Sequence, residues 1–293
     1  MATGFMPEEF FEVAKPLLPA DKPVGVKGGR PRVLNGVALR VIWYVLTTGI
    51  RWQDVLLEMG CSGRTAHRRL EEWQVAGAWD ALHKKLLDLL NRDGKLEPEI
   101  VIIDSTQVPA PGGGEATGPN PTDRGKAGTK HTLMVDANGV PLALHTTGSN
   151  VSDQTQIVPI VLEFPRIKGK VGRPKELPDE AYADRGYDCE ATRLLLRWLG
   201  IEPKIAKRRT EHGSGLGASK VGCRANQCLA QRTEANACPL GPAAEHPRGL
   251  ERARHECHLF PPLVRLPDVR LIYKRRVLSE VLRNGSTVPR LIF

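Results

Sequence analysis

Two aspartates close strand-like runs in this chain. Asp104 follows residues 100–103 in the stretch EIVIIDST, and Asp184 follows residues 181–183 in DEAYADRGYD. A lone aspartate at the end of a strand is more often a turn former or a helix cap. Two of them at the same edge of one sheet repel each other unless they are protonated or bridged by cations. Oxygen-only ligands favour Mg²⁺ (or Mn²⁺), which binds a few carboxylates and leaves positions for a substrate phosphate. Two such ions could activate an attacking oxygen and stabilise a leaving one in an in-line displacement at phosphorus. Chemistry of that kind usually needs a third carboxylate. It is expected on a helix some way past Asp184, where the composition of this chain changes abruptly.

The elements that must position the pair read as a mixed α/β domain. Residues 100–103 are a continuous β-branched run, as expected of a strand buried on both faces. Residues 109–126 form a Gly/Pro loop too polar to pack. Residues 129–136 and 140–147 flank Asn138-Gly139, a hairpin signal. A helix is expected over 153–164, capped by Ser152 or Asp153, and a basic loop over 167–178. A short strand at 180–183, a helix at 190–199 and a strand at 203–206 complete the set.

Ahead of this domain the apolar spacing is helical. Helices are expected over 7–18, 33–48 (ending at Gly49), 52–59 (ending at Gly60), 62–75 (with Ser62 as N-cap) and 78–90. A Gly/Pro/Lys linker separates the first two. The short helix, the turn at Gly60-Cys61 and the segment SGRTAHRRLEEWQ resemble a helix-turn-helix. Its second helix would offer Arg64, Thr65, His67, Arg68 and Arg69 to DNA. The alternative is a solvated basic helix in an ordinary bundle.

The 293 residues carry a formal net charge of +9, which favours a polyanionic partner such as nucleic acid. No run of eighteen apolar residues suggests a membrane span. No secretory signal is evident, so the cytoplasm is the expected compartment. Six cysteines in such a chain do not suggest disulfides. Cys223, Cys228, Cys238 and Cys257, with His246, His255 and His258, tempt a zinc reading, but their spacing misses the usual C-x2-C pairs.

Several stretches taken together resemble the bacterial insertion-sequence transposases of the Asp-Asp-Glu type, in the group related to insertion sequence five. They are PLLP at 16–19, GGRPR at 28–32, YVLTTGIRWQDV at 44–55, IDST at 103–106, RGKAGTKHTLMVDANGVPL at 124–142 and ADRGYD at 183–188. The resemblance runs from about Pro7 to Gly217. It implies a helical DNA-binding cap domain over 1–92 and an RNase H-like mixed-sheet domain over 97–217. It also implies Asp104 and Asp184 as the first two metal-binding acids, with two Mg²⁺ or Mn²⁺ ions in an intact homologue. The segment TGSNVSD (147–153) is expected near the site, with Asp153 either a ligand or a helix cap. Arg124, Lys126 and Lys130 are expected to contact the DNA backbone; the alternative for them is a solvated loop. The implied partners are double-stranded DNA, at element ends and target, and further copies of the chain when intact.

In that group the third acid lies in a pattern Arg-x3-Glu-x6-Lys, and nothing after Gly217 matches it. Glu234, Glu245, Glu251 and Glu256 occur in the wrong context, and residues 218–293 lack a steady apolar period. Reading each codon from Lys220 onward from its second base, with permissible third bases, yields a string containing RWVVERTNAWLK, the group's pattern at its required spacing. The glutamate codon would straddle Arg224 and Ala225. An indel near residues 215–220, with an out-of-frame and ill-folded tail over 218–293, accounts for this. The expected function is therefore a transposase catalysing metal-dependent strand cleavage and transfer, defective in this form. The alternative is a non-catalytic DNA-binding remnant.

Overall fold

A computed structural model describes residues 5–21, 31–114 and 116–208. The tail from 218 onward, the candidate zinc ligands and the displaced glutamate codon all lie outside the described residues. The chain divides into two compact units.

The first unit, described over residues 5–21, 31–96 and 166–174, is helical. It contains α1 (Glu8–Ala14) running into a 3-10 turn (Lys15–Leu17), α2 (Asn35–Thr48), α3 (Gly63–Val75) and α4 (Ala78–Arg92). The stripe Ala38, Leu39, Val41, Ile42 and Val45 on α2 is buried at helical spacing, as are Ala66, Leu70 and Trp73 on α3. Trp73 packs on Trp79 of α4 with ring centroids 5.7 Å apart. The Trp79 indole N–H donates to the Leu70 carbonyl (3.0 Å), so the buried ring keeps no unpaired donor. α2 stops where Gly49 takes the left-handed conformation (φ 76°), and its N–H closes on the Val45 carbonyl. Ser62 caps α3 as expected, its Oγ accepting from Thr65 N (3.3 Å).

The helix expected over 52–59 does not form. Two 3-10 turns, Trp52–Asp54 and Leu57–Met59, stand there with extended residues between them. The cause is packing at the start of α3. A Cβ on Gly63 would sit 1.8 Å from the Trp52 carbonyl oxygen, so the Trp52 backbone lies directly on Gly63. The segment folds over the α3 N-terminus instead of continuing as a helix. The result is α2, an irregular corner and α3, not two helices joined by a tight turn.

Residues 166–174, expected within the α/β domain, group with the helices. Asn91 Nδ2 donates to the Lys168 carbonyl (2.8 Å) and Lys168 N donates to Asp88 Oδ1 (2.7 Å).

The second unit, residues 97–165 with 175–208, holds one mixed sheet. Its strands are β1 (Ile100–Pro109), β2 (Gly118–Pro119), β3 (Ala127–Asp136), β4 (Pro141–Gly148), β5 (Glu180–Ala183) and β6 (Glu202–Ile205). β1 lies between antiparallel β3 and parallel β5; β4 pairs antiparallel with β3, and β6 parallel with β5. β2 pairs with the first residues of β3. Two long antiparallel steps followed by two parallel ones give the RNase H-like sheet order. The parallel connections run through α5 (Ile157–Leu162) and α6 (Glu190–Trp198). Val101, Ile103, Leu133, Met134 and Val135 fill the core of this sheet with Ile157, Ile160 and Leu196 from the helices.

The hairpin turn is set by Asp136 as well as by Asn138-Gly139. The Asp136 carboxylate is fully buried and accepts from Glu97 N (2.9 Å), Asn138 N (3.0 Å) and Val140 N (2.6 Å). Burial still pushes its carboxyl up to about 6.

Candidate active site

Asp104 does not end its strand. β1 continues to Pro109, paired throughout with β3, while its parallel pairing with β5 stops at Ile103–Ala183. Asp104 and Asp184 are thus the next residue on each strand, at the place where β5 turns away. A run of four apolar residues looked like the whole strand because only that part is covered on both faces. Beyond it, β1 runs on half-buried through polar residues 104–107.

The turn after β5 aims Asp184. Its Oδ1 accepts from Gly186 N (2.9 Å) at the start of a 3-10 turn over Arg185–Tyr187. Asp188 holds this turn to α6: its Oδ1 takes both Arg193 Nε (3.0 Å) and Nη2 (2.7 Å). Arg208 closes the other side, donating from N to Asp188 Oδ2 (2.8 Å), from Nε to the Arg185 carbonyl (2.9 Å) and from Nη2 to the Gly186 carbonyl (3.0 Å). The Arg208 N–H, followed by the Arg193 guanidinium, holds the Asp188 carboxyl below its ordinary range.

Asp104 Oδ1 accepts from Ser105 N (2.8 Å), while Oδ2 is buried without a hydrogen-bond partner. Burial, opposed by the Ser105 N–H and reinforced by the charges of Asp184 and Asp153, pushes the Asp104 carboxyl up to about 6. A cation beside these groups would reverse that balance and supply the partner that Oδ2 lacks. The donor chemistry, carboxylate oxygens only, fits Mg²⁺ or Mn²⁺. Among the described residues, however, no three His, Cys, Asp or Glu side chains stand together as a formed metal centre.

Asp153 is not the helix cap that it could have been. It begins a 3-10 turn (Asp153–Thr155), and no side chain caps that turn. Its Oδ1 instead accepts from Ser105 Oγ (3.1 Å) on β1 and Lys130 Nζ (2.9 Å) on β3.

The basic residues separate into two groups. Arg64 and Arg68 are exposed on α3, and Arg124 and Lys126 are exposed on the loop before β3. Arg124 has φ 52°, a left-handed backbone uncommon for a non-glycine residue. The loop is tied together by Gly125 N to the Asn120 carbonyl (2.9 Å) and Lys126 N to the Asp123 carbonyl (3.0 Å). Lys126 pairs loosely with Asp123 (3.3 Å). His67 is half-buried, edge-on to Trp52.

Two residues depart from the expected role. Arg69 is 3% exposed and donates inward, from Nη1 to Asn35 Oδ1 (2.8 Å) and from Nη2 to the Val33 carbonyl (2.5 Å). It lies on the buried face of α3, three residues after Ala66, and holds α3 to the start of α2. Lys130 is 4% exposed and spends its ammonium on Asp153 and the Val151 carbonyl (2.7 Å). Charge patterning along a sequence does not reveal which way a lone Arg or Lys faces.

Ser105, Gly186 and Tyr187 were not singled out by the sequence. Tyr187 is 1% exposed, and its hydroxyl has no partner in full hydrogen-bond geometry. Burial pushes its phenol well above the usual range; the Ser105 hydroxyl opposes this, and the charges of Asp153, Asp104 and Asp184 add to it. The one available signal was their position beside the two aspartates, in IDST and ADRGYD.

Comparison with known proteins places this geometry in context. Residues 6–83 match the family described as "Putative transposase of IS4/5 family", and residues 95–238 match the "Transposase DDE domain". The second match continues past Gly217, where the motif resemblance ended. A Burkholderia cepacia protein named "Putative transposase for insertion sequence element IS402" is 56% identical over 116 residues, covering 40% of this chain and 53% of that protein. The chain therefore spans about half the length of that relative. An uncharacterised 16.2 kDa protein of insertion element IS402, from the same organism, is 42% identical over 123 residues, covering 41% of this chain and 84% of that protein. Among solved structures, the Mos1 transposase paired-end complex with left transposon end covers 90% of this chain and 80% of its own, at 13% identity and a TM-score of 0.30. At that score nothing is transferred from it. Among the described residues, no helix is long and apolar enough to cross a membrane.

Proposed function

The chain belongs to the IS4/5 family of insertion-sequence transposases, and from that premise we propose that its α/β unit is a phosphodiester-processing site in which Asp104 and Asp184 hold a divalent cation, Mg²⁺ or Mn²⁺. The observation that carries this reading is the emergence of the two carboxylates together just past the Ile103–Ala183 pair, with Asp104 Oδ2 buried and unpartnered. When bound, the ion would supply charge stabilisation at the attacking and leaving oxygens of a phosphodiester. The chain's own residues prepare for this. The Ser105 N–H orients Asp104, and the Arg208 and Arg193 contacts fix the turn that aims Asp184. Exposed Arg124 and Lys126 would meet DNA phosphates, as would Arg64 and Arg68 on the helical unit. Double-stranded DNA at the ends of the element and at its target is the substrate, and an intact chain would act as a homo-oligomer in the cytoplasm.

This chain binds DNA but does not complete strand transfer. Support comes from the sequence after Gly217, which lacks the Arg-x3-Glu-x6-Lys pattern in frame and whose codons, with permissible third bases, allow it when read from the second base. The match to the DDE domain continues to residue 238, so two origins compete for the third acid: a displaced carboxylate within 218–238, or a shifted frame. The nucleotide sequence decides between them. A frame that does not encode VERT after Gly217 removes the shifted-frame explanation. The functional test is incubation of the purified chain with end-sequence DNA in Mg²⁺ or Mn²⁺. A gel shift with steep salt dependence and no nicking is expected. Nicking that Asp104→Ala abolishes would overturn the inactivity.

A further inference from the structure

Asp153 makes contacts that neither Asp104 nor Asp184 makes. Its Oδ1 is shared by Ser105 Oγ and the buried Lys130 ammonium, which also holds the Val151 carbonyl. The loop carrying Asp153 is thereby fastened to β3 and to the residue next to Asp104. The other oxygen lies on the Asp184 side. The point that a Gly186 Cβ would occupy is 3.6 Å from Asp153 Oδ2, 3.0 Å from Asp184 Oδ1 and 3.6 Å from Asp184 Oδ2. A side chain at 186 would crowd oxygens of both carboxylates, and glycine leaves that position clear.

The buried Tyr187 hydroxyl gives a second, independent indication. It lies close enough to Asp153, Asp104 and Asp184 to feel all three charges, and it has no full hydrogen bond within the protein. A hydroxyl enclosed beside three carboxylates, with its Ser105 neighbour outside full hydrogen-bond geometry, can still engage an oxygen-bearing ligand, such as a water or phosphate oxygen carried by a bound cation.

We propose that Asp153 is a third carboxylate of the Asp104–Asp184 cation site, and that the Lys130 ammonium is its built-in counter-ion, competing with the cation for that carboxylate. The inference rests on the divalent-cation reading of the Asp104–Asp184 pair. Three carboxylates and one ammonium together carry two negative charges, the complement of one divalent ion. Lys130 on Asp153 Oδ1 also explains why the three acids do not stand as a formed centre. Removing the ammonium leaves an uncompensated carboxylate that gains more from an added cation.

The test is a titration of the full-length chain with Mn²⁺, read by the EPR signal of free Mn²⁺, with folding checked by circular dichroism. Asp153→Asn weakens Mn²⁺ binding by about tenfold, and Lys130→Met tightens it by a similar factor, in the range for groups bordering a metal site. Lys130→Arg, which keeps the charge, restores the wild-type affinity. A purely structural role for the pair predicts the opposite for Lys130→Met, namely weaker binding as the loop comes loose. The proposal is overturned if Asp104→Asn abolishes binding while Asp153→Asn changes it less than about twofold, or if Lys130→Met weakens it. If Asp153→Asn does not fold, the Lys130 pair of variants decides. Mn²⁺ binding that Asp104→Asn leaves intact would instead overturn the underlying cation reading, and this inference with it.

Discussion

Asp104 and Asp184 each follow one member of the last parallel pair between β1 and β5, Ile103 and Ala183, so a single register brings both carboxylates to the place where that pairing ends. A one-residue slip in that pairing would turn one of them to the opposite face. Backbone pairing therefore locates the site, and the Asp188–Arg193–Arg208 contacts hold the turn on the Asp184 side in place.

Without a cation the site is a liability to the fold. Burial and two neighbouring negative charges disfavour ionised Asp104. Asp104→Asn keeps an oxygen for the Ser105 N–H and removes the charge. It should stabilise the chain at neutral pH in EDTA by about 1–2 kcal/mol. Chemical denaturation measures this; a loss of stability would contradict the electrostatic reading.

Gly186→Ala tests the space between the acids. The residue is not in the left-handed region, so the backbone tolerates alanine, but the new Cβ would sit 3.0 Å from Asp184 Oδ1. Mn²⁺ affinity should drop by about tenfold while stability changes by less than about 1 kcal/mol. Calorimetric titration and thermal melts read the two quantities separately.

Asp136 is a structural carboxylate. Asp136→Ala would leave three N–H donors, of Glu97, Asn138 and Val140, without their acceptor at a fully buried position. A loss of about 2–4 kcal/mol is expected in urea denaturation.

His131 sets an acid limit. It is 5% exposed, lies beside Thr146 Oγ1 (3.2 Å), and burial pushes its imidazole down to about 4 from an ordinary 6.5. In this range the unfolded chain binds the proton more readily than the folded one. The His131 contribution is therefore full above about 6.5, falls as pH drops from there to about 4, and levels off below. The difference in stability between wild type and His131→Asn should shrink over that window. A difference that stays flat with pH would contradict the burial of a neutral ring.

Two arginines on α3 should behave in opposite ways. Arg68→Ala removes an exposed cation and should lower DNA affinity and the salt slope by about one phosphate contact, with the fold intact. Arg69→Ala removes the link to Asn35 and Val33, and should unfold the helical unit before any DNA effect can be read.

Much of this was legible in the chain because patterning and turn chemistry agree. The apolar stripes of α2 and α3, the Ser62 cap, the Gly49 stop and the strand–hairpin–helix–strand order all follow from local signals. The failures have a common cause, which is tertiary contact. The Trp52 carbonyl lying on Gly63 replaced a short helix with 3-10 turns. The pairing of β1 with β3 extended a strand through polar residues that have no strand-like hydrophobicity. Arg69 and Lys130 turned inward because Asn35 and Asp153 wait there, partners more than twenty residues away in sequence. The two aspartates could be picked from the sequence, and the family resemblance put Asp153 near them; Ser105 and Tyr187 could be grouped with them only once the strands were paired.

The most direct measurement is the binding of Mn²⁺ to the full-length chain, compared with Asp104→Asn and Asp184→Asn at equal foldedness. Saturable binding to wild type that either substitution abolishes is predicted. Equal binding by all three proteins, or none by a folded wild type at millimolar Mn²⁺, would contradict the assignment of these two carboxylates as a divalent-cation site.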